Sequence, residues 1–399
     1  MRELVDNSIK IILLSIALSA SFMISSKTYA DLGKIYSAKK PDQTPVEQIK
    51  VRERYTPPSR AYDRKNAVVH KKTKRWLNGK PAMVNTLVIN PKKSGVIIKP
   101  SFGSYFINSV KSVKEIVNIE TALAGINASY FKPDNGAPLG LAVVDEEIIT
   151  GPLYRRVSFG ITKDREFKMD KVDITGKITI GDNLEFRLFN INQPVFSKYD
   201  FTVYTDKWGK HTPKTSEHYS HIVVHRNKVQ YIKNSSVSIP RGGYVVVGPH
   251  YRVAGKIQQY DKVSYAAKLI PEDWNDNVES AISGGPYLVK NGKIFIDKQK
   301  FSHSFLWTKF PRTAIGYTKG GSLVMVTIDG RQKGISEGAT LTELAKIMWE
   351  LGCHNAMNLD GGTSTQMVVN GRLVNFPSVK GGGRVTNALI VLPPVFAAE

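Results

Sequence analysis

The segment from Ser322 to Gly362 constrains this chain more than any other. It opens with a continuous apolar run, SLVMVTI at 322–328, which suits a strand covered on both faces and ends at Asp329-Gly330-Arg331. Thr340 and Glu343 then stand in capping-box spacing. Leu341, Leu344, Ile347, Met348 and Leu351 recur at helical intervals, and Gly352 supplies a stop. A second short run, 356–359, ends at Asp360-Gly361-Gly362. Strand, helix and strand in this order make a βαβ unit whose two strands run parallel. Parallel strands place Asp329 and Asp360 at one carboxyl-terminal sheet edge, where open α/β sheets take their ligands.

Elsewhere the period is two. Segments 287–296 and 367–376 each alternate around a central Asn-Gly, the strongest short signal for a β-hairpin. HIVVHRNKVQYIK alternates around a turn in the same way, and short strands are expected from about Ala67. Val110, Val113, Ile116 and Val117 mark one helix within 108–120, and 155–270 is a strand-rich variable region. The expected fold is α+β: mixed, largely antiparallel sheets with recurrent hairpins and a C-terminal βαβ unit carrying the site at its strand ends.

The apolar run Ile11 to Ile24, followed by Thr28-Tyr29-Ala30, reads as a signal peptide over residues 1–30; an uncleaved N-terminal anchor is the alternative. Residues 31–66 lack periodicity and carry four prolines among many charges, as a disordered basic linker would, ahead of a domain over 67–399. The basic excess continues through Lys71 to Lys80, and the whole chain carries a formal charge of +22. Such a balance points to a polyanionic partner. Export to the periplasm or beyond favours an envelope polysaccharide or phosphate-bearing glycan over nucleic acid, with peripheral association to an anionic envelope surface. Cys353 is the only cysteine, so no intramolecular disulfide forms, and it reads as a small buried residue.

Four Gly-punctuated clusters hold the chemistry: 125–131 around Asn127, 282–292 around Ser283-Gly284-Gly285, 311–331 with Arg312, Thr313, Asp329 and Arg331, and 358–371 with Asn358, Asp360, Gly361, Gly362, Thr363 and Ser364. They combine carboxylates, guanidinium groups, hydroxyls and glycines whose N–H groups can approach an anion. Each member also has a plain structural reading: Asp-Gly is a common turn, and Thr and Ser cap helices. Ser283 lacks the G-x-S-x-G order of a nucleophile elbow. His218, His221 and His225 have helical spacing, but their surroundings alternate as a strand, and no zinc motif is present.

Taken in order, these clusters resemble the phosphodiester glycosidases, bacterial relatives of the enzyme that uncovers mannose 6-phosphate. The resemblance rests on Asn127 with Phe131, Gly140-Leu141, Gly284-Gly285-Pro286 with Asn291-Gly292, and the run Pro311 to Gly316. It continues through Asp329-Gly330-Arg331, Leu344-Ala345, Asn358 to Gly362, Asn375 with Pro377-Ser378, and Arg384 to Ala388. Three departures bear on the substrate: Ala128-Ser129 stand where the family has two glycines, three glycines precede Arg384, and Ser364-Thr365 stand where the family has a serine pair.

The resemblance implies an exported glycosidase that hydrolyses a sugar 1-phosphodiester of the N-acetylglucosamine type. A non-catalytic envelope module that binds anionic polysaccharide is the alternative. Asp329 or Asp360 would face the anomeric carbon, while Arg312 and Arg331 hold the phosphate. Asn127, Ser283, Gly284, Gly285, Thr313, Asn358, Gly361, Gly362, Thr363, Ser364 and Arg384 would line the substrate. No cofactor is implied with certainty, and a divalent cation held by the two aspartates is the alternative to one arginine.

Overall fold

The computed structural model describes residues 68–394. The expected signal peptide at 1–30 and linker at 31–66 lie outside the described residues. From Val69 onward the chain forms mainly antiparallel sheets with a few short helices.

The central sheet has seven strands, in the order Val69–Leu77, Lys80–Ile89, Leu323–Ile328, Arg312–Thr318, Cys353–Asn358, Tyr287–Lys290 and Lys293–Ile294. Leu323–Ile328 is buried along its whole length, because both of its faces are covered. On one face Val84, Val324, Val326, Ala314 and Ala356 pack against Leu344, Ile347 and Met348 of the helix Leu341–Glu350. On the other, Leu87, Ile315, Met325 and Met357 meet Ile126, Leu389 and Val391 of a second sheet in the main core. The helix begins at the expected capping box: the Thr340 hydroxyl accepts from Glu343 N–H, and the Glu343 carboxylate accepts from Thr340 N–H. Leu323–Ile328 and Cys353–Asn358 both run antiparallel to Arg312–Thr318, which lies between them. They are therefore parallel to each other without being neighbours, and both aspartates follow strand ends at the same edge.

The Asn-Gly turns explain the hairpins. Asn78-Gly79, Asn291-Gly292 and Asn370-Gly371 all have positive φ at both positions, between 48° and 75°. That is the twist a two-residue hairpin turn needs. The basic stretch from Lys71 to Lys80 is thus ordered as the edge hairpin of the central sheet.

The variable region forms its own seven-stranded sheet around Ile178, Phe186, Phe201, Val224 and Val246, with one parallel pairing between Leu184–Ile191 and Phe201–Thr205. His221 sits on its strand Tyr219–His225, buried against the Thr212 and Thr215 hydroxyls; burial draws its ring down to about 4. The predicted helix is shorter than its periodic stretch, spanning Val113–Ile119 from a Ser112–Glu115 capping box. Cys353 is buried and free.

Candidate active site

Asp360 begins the loop that leaves the strand Cys353–Asn358. Its N–H donates to Ala128 O at 3.0 Å, which ties the loop to the second sheet. Gly361 N–H donates to its Oδ1 at 2.9 Å, and the Ser364 hydroxyl also bonds the carboxylate. Burial nevertheless dominates and pushes the Asp360 carboxyl up to about 6. The residue keeps partial solvent contact, and no Lys, Arg or His pairs with it among the described residues. A carboxylate that is reachable, poorly solvated and unpaired suits chemistry better than it suits stability.

Arg331 stands beside it. Its backbone is left-handed, with φ 61°, an unfavourable conformation for a residue with a Cβ. The guanidinium is exposed, lies 5.7 Å from the centre of the Phe310 ring, and makes no hydrogen bond or ion pair among the described residues. A Cβ placed on Gly362 would lie 3.2 Å from a terminal nitrogen of Arg331, so glycine there lets the arginine close on the Asp360 loop. Gly362 N–H donates to Pro311 O, and Thr363 is exposed on the next residue.

Most other candidates are spent on holding this loop. Asn127 has no exposed surface; its Nδ2 donates to Asp360 O at 2.6 Å, and its Oδ1 accepts from Thr313 Oγ1 and Gln366 N–H. Asn127 and Thr313 thus position Asp360 from behind rather than binding a sugar. Asn358 directs its Nδ2 at the Tyr130 hydroxyl and at Leu359 O. Ser283 is bonded to Leu141 N–H and the Ser158 hydroxyl. Gly284 N–H and Gly285 N–H serve Val157 O and Asn358 O, leaving neither for an anion. A Cβ on Gly284 would lie 2.5 Å from Asn358 O, so its glycine serves backbone packing. Ala128 and Ser129 are buried behind the loop and do not narrow any approach.

Three charged candidates are also corrected. Arg312 is 2% exposed; its Nε donates to Ala339 O, and one terminal nitrogen donates to Phe305 O and Thr308 O. Burial lowers its guanidinium to about 10. Through Nε and one terminal nitrogen it clamps the start of the helix Leu341–Glu350 to the 305–308 turn. Asp329 is 1% exposed, and its Oδ1 accepts from Asn375 Nδ2 and Phe376 N–H; burial raises its carboxyl. Through Oδ1 it anchors segment 375–376, while its buried Oδ2 has no hydrogen-bond partner among the described residues. Arg384 is drawn to Glu115 at 2.7 Å on the surface. No group of three His, Cys, Asp or Glu residues that would hold a metal occurs among the described residues, so Asp329 and Asp360 gain no third acidic ligand.

The structural role of Arg312 has a measurable consequence. Arg312→Ala strips partners from one buried and two part-buried carbonyls and should cost about 2–4 kcal/mol in a denaturant titration. KM of the folded fraction should be unchanged; a raised KM with intact stability would return Arg312 to the phosphate.

Two groups escaped motif reading. Tyr130 lies under the loop, its hydroxyl bonded to Gly285 O, Leu359 O and Asn358 Nδ2, and its ionisation is driven up by burial. Arg156 packs its guanidinium against the Tyr130, Tyr154 and Phe301 rings, with its Nε unpartnered. Neither has a neighbour in sequence that signals a role; Tyr154-Arg155-Arg156 is only a basic turn.

Comparison with known proteins adds a family and a fold. Residues 219–392 match the family model described as phosphodiester glycosidase. The N-acetylglucosamine-1-phosphodiester alpha-N-acetylglucosaminidase of Bos taurus is 32% identical over 108 residues, 24% of this chain and 20% of that enzyme. Its counterpart in Mus musculus is 33% identical over 159 residues, 37% of this chain and 27% of that enzyme. An uncharacterized protein of Rickettsia conorii is 25% identical over 57% of this chain and 82% of its own length. A hypothetical protein from Synechocystis has the same fold, with a TM-score of 0.74 at 24% identity, covering 82% of this chain and 62% of its own. So does a protein of Burkholderia pseudomallei K96243, with a TM-score of 0.67 at 22% identity, covering 78% and 74%. Residues 219–392 of this chain thus match a phosphodiester glycosidase domain. The chain matches about a fifth of the Bos taurus relative, at 20% of that enzyme's length.

Proposed function

We propose that the protein is an exported glycosidase that hydrolyses the anomeric C–O bond of a sugar 1-phosphodiester on an envelope or extracellular glycan. The observation that carries this reading is the placement of Asp360, desolvated and unpaired, and Arg331, exposed and unspent, on one loop around Gly362. The leaving group is a phosphate monoester, already stable as an anion, so its oxygen needs no strong acid. What the reaction demands is negative charge facing a carbon that becomes cationic. A carboxylate that its surroundings solvate poorly in the ground state gains most when that positive charge develops. Arg331 would hold the phosphate oxygens through its planar fork, the exposed Thr363 hydroxyl would orient substrate beside it, and Ser364 would hold the Asp360 carboxylate.

The ionised form of Asp360 is the working one. The kcat/KM profile should therefore rise with pH through about 6 and level off above it, falling tenfold per unit on the acid side. A profile flat between pH 5 and 7 would remove Asp360 from the role. The reaction itself is tested by incubating purified protein with several sugar 1-phosphodiesters and scoring free sugar by mass spectrometry. Binding without any release would favour the non-catalytic polysaccharide module.

A further inference from the structure

The edge strand Val69–Leu77 carries charge that the site does not use. Residues 72, 74 and 76 alternate onto one face, each about 6.8 Å from the next along the strand. Through its pairing with Lys80–Ile89, Lys72 stands opposite Asn85, and Asn85 opposite Thr327; Lys74 stands opposite Met83, whose carbonyl accepts Asp329 N–H. That face is the one on which Asp329 anchors segment 375–376. Lys72 Nζ lies 4.6 Å from the centre of the Phe376 ring, and Lys74 Nζ 5.4 Å from the Trp76 ring. Neither lysine forms an ion pair among the described residues, although the charge of Lys72 is felt by the Asp329 carboxyl, whereas Arg75 is paired with Glu350 and Lys80 with Glu337. Trp76 is 67% exposed and Phe376 65%.

Lysines on a sheet edge have a known protective use, since charge there discourages pairing with another chain. An exposed tryptophan and phenylalanine beside them would undo that protection, so another cause is needed. Two cations flanked by flat apolar rings match a polymer that carries both phosphates and sugar rings, whose C–H faces pack on aromatic side chains. The row also leads to the candidate site: Gln332, next to Arg331, donates to Phe376 O, and Asn375 donates to Thr365 O beside Ser364.

We propose that Lys72, Lys74, Trp76 and Phe376 form a docking tract for a phosphate-bearing glycan chain, leading its end toward Arg331 and Asp360. The tract deepens the glycosidase reading, and its direction rests on that reading. Binding itself is tested apart from catalysis, by anisotropy titration of a labelled hexose-phosphate polymer against Asp360→Asn protein, which leaves the polymer intact. Adding Lys72→Gln and Lys74→Gln should weaken binding about tenfold at low salt and flatten its salt dependence. Adding Trp76→Ala should weaken it severalfold at every salt concentration. Unchanged affinity in all these variants would overturn the tract, as would tighter binding of a mixed-sequence oligonucleotide or of anionic vesicles through the same residues. Weakened polymer binding would uphold it even where wild-type protein released no sugar, and the catalytic reading alone would then fall.

Discussion

Asp360→Asn should lower kcat for sugar release by about 10²–10⁴-fold while leaving the melting temperature at or above that of the wild type. The two effects have one origin. Burial holds the Asp360 carboxyl at about 6 in the folded chain, above its ordinary value near 3.9 when unfolded. A group raised on folding favours the fold while protonated. Its contribution is fully present below about pH 4 and is lost as pH rises through about 6. At pH 7 the ionised carboxylate therefore costs the fold about 1–3 kcal/mol, an upper range because the residue keeps some solvent contact. Asparagine retains an oxygen for Gly361 N–H and removes the charge. Thermal melts of both proteins at pH 4 and pH 7, run beside turnover assays, separate the account from a merely structural aspartate. A variant that lost activity and stability together at pH 7 would place Asp360 among the groups that hold the loop.

Arg331→Ala should reduce kcat/KM on a sugar 1-phosphodiester by about 10²–10³-fold with little change in stability. The side chain makes no hydrogen bond or ion pair among the described residues, so its removal leaves no buried group without a partner. Its left-handed backbone also relaxes no further on truncation, since alanine keeps the Cβ. Arg331→Lys should recover only part of the loss, because a point charge cannot engage two phosphate oxygens as a planar fork does. Equal activity in Lys and wild-type proteins would mean that charge alone is used. Activity unaffected by either substitution would leave the phosphate to another cation, with Arg156 the next in line by its unpartnered Nε.

The sequence legible to periodicity was the part built from local rules. The capping box at Thr340, the apolar face of the helix, the buried strand before Asp329 and the Asn-Gly turns all follow from spacings of a few residues, and all are present. The helix near Val113 was harder to bound, since its apolar spacing runs on beyond the residues that turn. Within the site, residue type misled wherever a polar side chain serves the fold. Asn127, Thr313 and Arg312 have the chemistry of substrate ligands, yet their partners lie 186 residues away in one case and on backbone carbonyls in another. Only tertiary contact tells a buried cross-link from a ligand. The same limit hid Tyr130 and Arg156, which meet the site through packing of distant strands and loops. Asp360 and Arg331 stood out from spacing, but so did Asp329, and burial alone divides them.

The central claim is that the bond broken is between the anomeric carbon and oxygen, under the charge of Asp360. Hydrolysis of a sugar 1-phosphodiester in water enriched in oxygen-18 tests it most directly, with both products read by mass spectrometry. The account predicts the label in the released sugar, none in the phosphate monoester, and both products at least about a hundredfold more slowly from Asp360→Asn protein. Label in the phosphate would mean attack at phosphorus, and would contradict it.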